Sequence, residues 1–274
     1  YMKLKIFYLT TEIVPFASTS SLADFSAKVP LLLQDKEHDI RTMIPKYGYV
    51  SERKYILREV IRLREIPFEF GKENVITSAK SAFIPKTRVQ VYFLEDTKRF
   101  KPMTNLIYKS KNGRVISDIH ERFAFFSKAS LAMLPHLFWK PDLMWCNNWQ
   151  SALVSAFYKE HYKDDDFRAN IKSVLVVHDY EEEYLNIEKG VFSKVGLTVP
   201  DGVKKGVINA YEAAAQNVDL IIAIDSPSNS VSKELVKLPS IKKSKLLIVK
   251  TSDESPDYEK VAAKIDNGLQ KLYS

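Results

Sequence analysis

The sequence predicts an α/β fold built on a mainly parallel sheet, on three observations. Short apolar runs recur along the chain, and most are followed by a segment with apolar residues at helical spacing, the pattern of repeated βαβ units. The first run, Leu4 to Leu9, has the length and the aromatic and branched character of a strand buried on both faces. No internal repeat, low-complexity tract or Gly/Ser-rich linker divides the chain, so residues 1–274 read as one domain.

After the first strand comes a small-residue loop, Ser18-Thr19-Ser20-Ser21, whose serines can cap a helix over Leu22 to Gln34. Leu22, Phe25, Val29, Leu32 and Leu33 share one face of that helix, and Pro30 inside it should kink it. Asp39 to Pro45 reads as a second strand, closed by the turn Pro45-Lys46-Tyr47-Gly48. Shorter strands at Val60–Leu63, Ser81–Ile84 and Val89–Phe93 alternate in polarity and predict an antiparallel or edge region. Ile116 to Leu134 is helical by spacing, and Leu143 to Cys146 is a strand ending in Asn147-Asn148-Trp149-Gln150.

A helix over Ala152 to Tyr162 and an apolar strand, Ser173 to His178, follow. Val207 to Asn217 is then expected as a helix and Leu220 to Ile224 as a strand, with Ser226-Pro227-Ser228 capping a short helix to Leu235. Leu246 to Val249 is the last strand. Residues 256–273 form an amphipathic helix, striped by Tyr258, Val261, Ala262, Ile265, Leu269 and Leu272, expected to pack back on the domain. The sum is four or five parallel strands with a peripheral β insertion and right-handed crossovers.

Composition narrows the function. The chain carries 41 basic and 34 acidic residues, a net +7, but the charge forms no block and no helix is both basic and aromatic. A nucleic-acid partner is therefore not expected. The single cysteine, Cys146, can make no internal disulfide, which fits a reducing compartment. No run reaches the roughly 18 to 20 apolar residues that span a bilayer, and polar residues interrupt the first run by Thr10, unlike a signal peptide. A cytoplasmic protein without membrane, metal or cofactor is the expectation.

Polar residues mark three strand ends: Thr11 and Glu12 with Ser18 to Asp24, then Asn147 and Asn148, then His178 and Asp179. In parallel sheets, ligands sit at the carboxyl ends of strands.

These segments, in this order, resemble the N-terminal domain of the bacterial glycogen synthases and plant starch synthases. Thr11 to Asp24 (TEIVPFASTSSLAD) stands in the frame of that family's opening loop, SE-x-x-P-[FY]-x-K-T-G-G-L-G-D. His38-Asp39-Ile40-Arg41 through Pro45-Lys46-Tyr47-Gly48, Val91-Tyr92-Phe93-Leu94 and the stretch Glu121 to Ala129 (ERFAFFSKA) are similar to further family segments. So are Pro141-Asp142 to Trp149-Gln150, Val176-Val177-His178 and Asp225-Ser226-Pro227-Ser228.

The resemblance implies one Rossmann-like domain, the N-terminal half of a two-domain GT-B glycosyltransferase. It also implies retaining transfer of glucose from ADP-glucose. His178, Asn148 and Asp24 match positions of the transfer site. Glu12, Ser18, Thr19, Ser20, Ser21, Asn147, Trp149, Gln150 and Asp179 match its ligand-binding surroundings.

Departures from the family pattern point the other way. The loop's lysine is Ser18 and its glycines are Ser20 and Ser21, so a positive group aimed at the leaving diphosphate is lost, worth about 3 kcal/mol by analogy with a lost oxyanion donor. Asn148 replaces a carboxylate and Asn147 a histidine, while Asp179 to Glu183 forms an acidic stretch that would repel a diphosphate. In the family the nucleotide is held mainly by a second domain, which this sequence is too short to include.

Two readings follow. The first is a relative without transferase activity of its own, a module binding α-glucan, a sugar phosphate or a protein partner, with a homodimer through the open cleft face as one form. The second is the acceptor-side half of a working glucosyltransferase, completed by a separate polypeptide.

Overall fold

Residues that read as buried strands form the middle of a ten-stranded sheet in the computed structural model, which describes residues 1–274. The strands are β1 (Lys5–Leu9), β2 (Asp39–Pro45), β3 (Ile66–Phe70), β4 (Glu73–Phe83), β5 (Gln90–Glu95), β6 (Leu143–Asn147), β7 (Lys172–Val177), β8 (Leu220–Asp225) and β9 (Leu246–Lys250). The order is β9-β8-β7-β6-β1-β2-β5-β4, with a two-residue strand at Arg58–Glu59 on the outer side of β4 and β3 also pairing with it. From β9 through β5 every pair is parallel, so seven strands rather than four or five make the parallel part. The α/β class is the one the sequence indicated.

The antiparallel region differs from expectation in two places. Residues 61–63 form a 3₁₀ turn instead of a strand. Val89–Phe93 largely coincides with β5, which is fully sheet-internal: it runs parallel to β2 and antiparallel to β4. Its inner residues alternate little in burial because both faces are covered, and alternation marks strands with one wet face.

Two helices were overestimated for a common reason. Helical spacing cannot distinguish a straight helix from a chain that turns in several short steps. The segment after β6 passes through a 3₁₀ turn at Trp149–Ser151, one α turn at Val154–Phe157 and a π-helical turn at Tyr158–Tyr162. Val207–Asn209 is a short strand paired antiparallel with Asn186–Glu188, and the helix starts only at Ala210. Likewise Ser226 and Asn229 form a tight turn, and the helix to Leu235 begins at Val231 behind Ser230.

Helix α1 (Ser21–Asp35) and the terminal helix α4 (Tyr258–Gln270) pack side by side on one sheet face; α2 (Ile119–Met133) and α3 (Ala210–Ala215) lie in the core of the other. Ser20 caps α1 by accepting from the Leu22 amide, and the helix continues past Pro30. In α4, Val261, Ala262, Ile265 and Leu269 are buried against α1, Leu4, Ile6 and Val174. His38 fastens this face. Its Nδ1 accepts from the Leu4 amide at 3.0 Å, which leaves the proton on Nε2 to donate to Asp266 of α4 at 2.8 Å. Ile265→Ala is expected to cost about 3 kcal/mol in urea denaturation, with a single unchanged transition, because α4 completes the core instead of decorating it.

Candidate functional site

The sheet order reverses between β1 and β6. The chain builds β2 and β5 on one side of β1, then returns to build β6 to β9 on the other. A crevice opens at the carboxyl ends of strands at such a switch point.

The loop leaving β1 turns its own carboxylate inward. Glu12 is 1% exposed, and its Oε1 accepts from the amides of Thr19 and Ser20, the latter at 2.8 Å. Its Oε2 accepts from Ser20 Oγ at 3.0 Å and from the Tyr108 hydroxyl at 2.8 Å. Tyr108 also bonds Thr11 Oγ1 at 2.7 Å, and Tyr47 donates to the Thr11 carbonyl at 2.7 Å. The amides that a glycine-rich loop presents to a ligand anion are thus occupied by Glu12. Ser18, Thr19, Ser21 and Asp24 stay exposed around it.

The ends of β6 and β7 are joined by direct hydrogen bonds. Asn147 Nδ2 donates to the Leu9 carbonyl at 2.9 Å, tying β6 to β1, so its Oδ1 is the acceptor for Trp145 Nε1 at 2.9 Å and His178 Nε2 at 2.8 Å. His178 is therefore the Nε2–H tautomer, and burial pushes its pKa down to about 3. Asn148 has φ +56°, a left-handed value costly for a residue with a Cβ. That backbone aims its side chain at the next loop. Oδ1 accepts from the His178 amide at 2.7 Å and Nδ2 donates to Asp179 Oδ2 at 2.9 Å.

Asp179 Oδ1 is buried without a partner. Burial first, then the nearby charges of Glu181 and Glu12, push this carboxyl up to about 7. Trp149 is buried with its ring stacked on Tyr184, centroids 5.0 Å apart, and Gln150 is buried beside it in sequence with Oε1 unpaired. Both serve the core more than an open surface.

The structure thus gathers Glu12, Asn147, Asn148, His178 and Asp179, residues up to 167 positions apart by number (179 − 12), into one edge. Within that edge it turns Glu12, Asn147 and Asn148 toward protein partners. The open space lies next to them. A cavity of about 230 Å³ is lined by Ser21, Phe25 and His178, by the loops after β8 and β9, and by Tyr258 of α4. Hydroxyls from Ser226, Ser228 and Thr251 face it together with Asn229, and no lysine or arginine is among its lining residues. Thr251 Oγ1 is buried there with no partner. Asp253 is bonded to Ser228, its Oδ1 2.5 Å from the Ser228 hydroxyl.

Thr251 and Asp253 escaped sequence reasoning, although they stand directly after an apolar run, the signal used for the other three loops. Tyr108, which bonds Glu12, and Tyr47, which bonds the Thr11 carbonyl before it, carry no local signal. The cluster of His, Cys, Asp and Glu needed for a metal ion is absent, and no helix is long and apolar enough to cross a membrane.

Comparisons with known proteins bear on the family and the fold. A family model described as "Starch synthase catalytic domain" matches residues 5–239. A glycogen synthase of Chlorobium luteolum is 33% identical over 218 residues, 79% of this chain and 42% of that protein. One of Chlorobaculum parvum is 30% identical over 237 residues, 86% of this chain and 48% of that protein. The chain therefore spans about half the length of these relatives. Among solved structures, the catalytic domain of Starch Synthase IV from Arabidopsis thaliana bound to ADP and acarbose superposes with a TM-score of 0.73. It is 20% identical, over 90% of this chain and 52% of that one, a likeness of fold.

Proposed function

Because this chain belongs to the starch synthase catalytic domain family, we propose that it acts in glucan metabolism by holding an α-glucan at its carboxyl edge. On this reading it does not transfer glucose from ADP-glucose by itself. The observation that carries the reading is Ser18, where the family's loop has a lysine, on a loop whose Thr19 and Ser20 amides are taken by the Glu12 carboxylate. A diphosphate approaching that loop meets a negative charge in place of free N–H groups, with Ser18 where a lysine would offset it.

What remains suits an uncharged, hydroxyl-bearing ligand. Neutral His178 has Nδ1 free of any protein partner. Thr251, Ser226 and Asn229 supply donors and acceptors, and Phe25 and Tyr258 give an apolar wall for the sugar ring.

Calorimetric titration with maltoheptaose and, separately, with ADP and ADP-glucose tests this. Saturable heat is expected from the oligosaccharide and none below millimolar concentration from either nucleotide. Sub-millimolar ADP-glucose binding would overturn the reading.

A second reading, the acceptor-side half of a transferase completed by another polypeptide, is favoured by Asp179. A carboxyl held near neutrality at the same edge can exchange protons with a reacting sugar. ADP release from ADP-glucose and glycogen that appears only after addition of cell extract would support it.

A further inference from the structure

A different cleft, away from the carboxyl edge of the sheet, is bordered by a lysine that makes no ion pair. Lys128 of α2 is 6% exposed, yet it makes no ion pair and no hydrogen bond; its ammonium lies 5.9 Å from the centre of the Phe157 ring. It borders a cleft of about 590 Å³ between α2, the start of the β3–β4 hairpin, the π-helical turn and Gly196. Packing along its stem holds the Lys128 pKa below the ordinary lysine value, and the charge of Glu69 across the cleft offsets only part of that loss of hydration.

Arg168 is the second cation lining the cleft. It is 7% exposed; Nε donates to the Leu131 carbonyl at 2.9 Å and Nη1 to Asp165 at 3.0 Å, which leaves Nη2 without a protein partner. His161, on the π turn, donates its Nε2–H to the Gly196 carbonyl at 2.9 Å, and burial keeps it neutral. His136 also lines the cleft, and Glu69 is the one carboxylate there.

The cleft wall is also built to a close tolerance. Gly71 has φ +62°, and a Cβ there would stand 2.2 Å from the Lys194 carbonyl oxygen, so only glycine lets the hairpin close against Gly196. A π turn is itself an irregularity that recurs at binding sites, and here it places His161 and Tyr162 on the cleft.

We propose that this cleft is a binding site for a phosphate group borne by a small molecule, with Lys128 and the free arm of Arg168 as its anchors. A phosphate accepts from both cations through charge-assisted bonds. The volume leaves room beside it for a sugar-sized body, whose hydroxyls can donate to Glu69.

The test is calorimetry at constant ionic strength with inorganic phosphate, with glucose 6-phosphate and with glucose, on the wild type, Lys128→Met and Lys128→Arg. Saturable binding is expected for one or both phosphate probes and none for glucose. Glucose 6-phosphate binding about tenfold tighter assigns a phosphate monoester, and equal affinities assign the free ion. Lys128→Met is expected to weaken binding about tenfold or more while leaving thermal stability unchanged or higher, since it removes a partly desolvated charge that makes no ion pair. Lys128→Arg is expected to retain binding within about threefold.

Arg168→Gln, which removes the second cation, is a further variant expected to weaken binding about threefold or more, with its fold checked by thermal denaturation. No saturable phosphate binding by the wild type, or binding unaltered in both Lys128→Met and a folded Arg168→Gln, overturns the assignment.

Discussion

Replacing Glu12 by alanine is expected to destabilise the protein by about 4 kcal/mol, and replacing it by glutamine by only about 1–2 kcal/mol. The carboxylate is buried and accepts from two backbone amides, the Ser20 hydroxyl and the Tyr108 hydroxyl. Alanine takes the acceptor from two amides and the Ser20 hydroxyl and leaves Tyr108 with Thr11 alone. Glutamine still accepts through its carbonyl, and its NH₂ can be met by the Ser20 and Tyr108 oxygens once those hydroxyls rotate. It loses mainly the charge assistance.

Urea denaturation measures the totals. Hydrogen exchange at the Thr19 and Ser20 amides reports the loop itself, and those two should lose protection in Glu12→Ala ahead of the β1 amides. Unchanged exchange in Glu12→Ala would mean that the carboxylate does not organise the loop. The reading that Glu12 displaces a ligand anion would fall with it.

The second large effect is in the pH dependence of stability. Asp179 is pushed from 3.8 up to about 7, so the folded state holds its proton where the unfolded chain has released it. The stability this contributes is complete below about pH 3.8 and is lost as pH rises through about 7. His178 and His120 act in the opposite sense. Burial lowers them from 6.5 to about 3 and about 4, so their contribution is present above about pH 6.5 and is lost as pH falls. Between about pH 4 and 6.5 the carboxyl and the imidazoles therefore pull in opposite directions and flatten the wild-type profile.

Asp179→Asn removes one side of that balance. At pH 8 the variant is expected to be more stable than the wild type by about 2–4 kcal/mol, since it no longer ionises a buried acid. Near pH 4 the two should be almost equal. The variant's stability should also climb between about pH 4.5 and 6.5 more steeply than the wild type's, by up to about 1.4 kcal/mol per pH unit for one proton. Denaturation midpoints across pH 4 to 8 settle this, and parallel profiles for the two proteins would remove Asp179 from the account.

By itself the sequence located the parallel strands other than β5 and the order in which they occur, though it counted four or five of the seven. Burial on both faces leaves a run such as Val174 to Val177 no polar position, and that pattern is local and needs no knowledge of the partner strand. It also determined α1 and α4, whose apolar stripes are one-dimensional patterns, and the strand ends at which polar residues gather. The broken segment from Trp149 to Tyr162 was not legible, because helical spacing survives a π turn almost unchanged.

Only the tertiary structure decided which way the polar groups point. A glutamate after a strand reads the same whether it faces a ligand or, like Glu12, its own loop; the choice was made by Tyr108, 96 positions away. An interior lysine on α2 reads as surface filler until the π turn and the β3–β4 hairpin pack over its stem and leave Lys128 without an ion pair. Periodicity is set by neighbours along the chain, whereas desolvation and pairing are set by whatever the fold brings alongside, and the chemistry of both clefts rests on the latter.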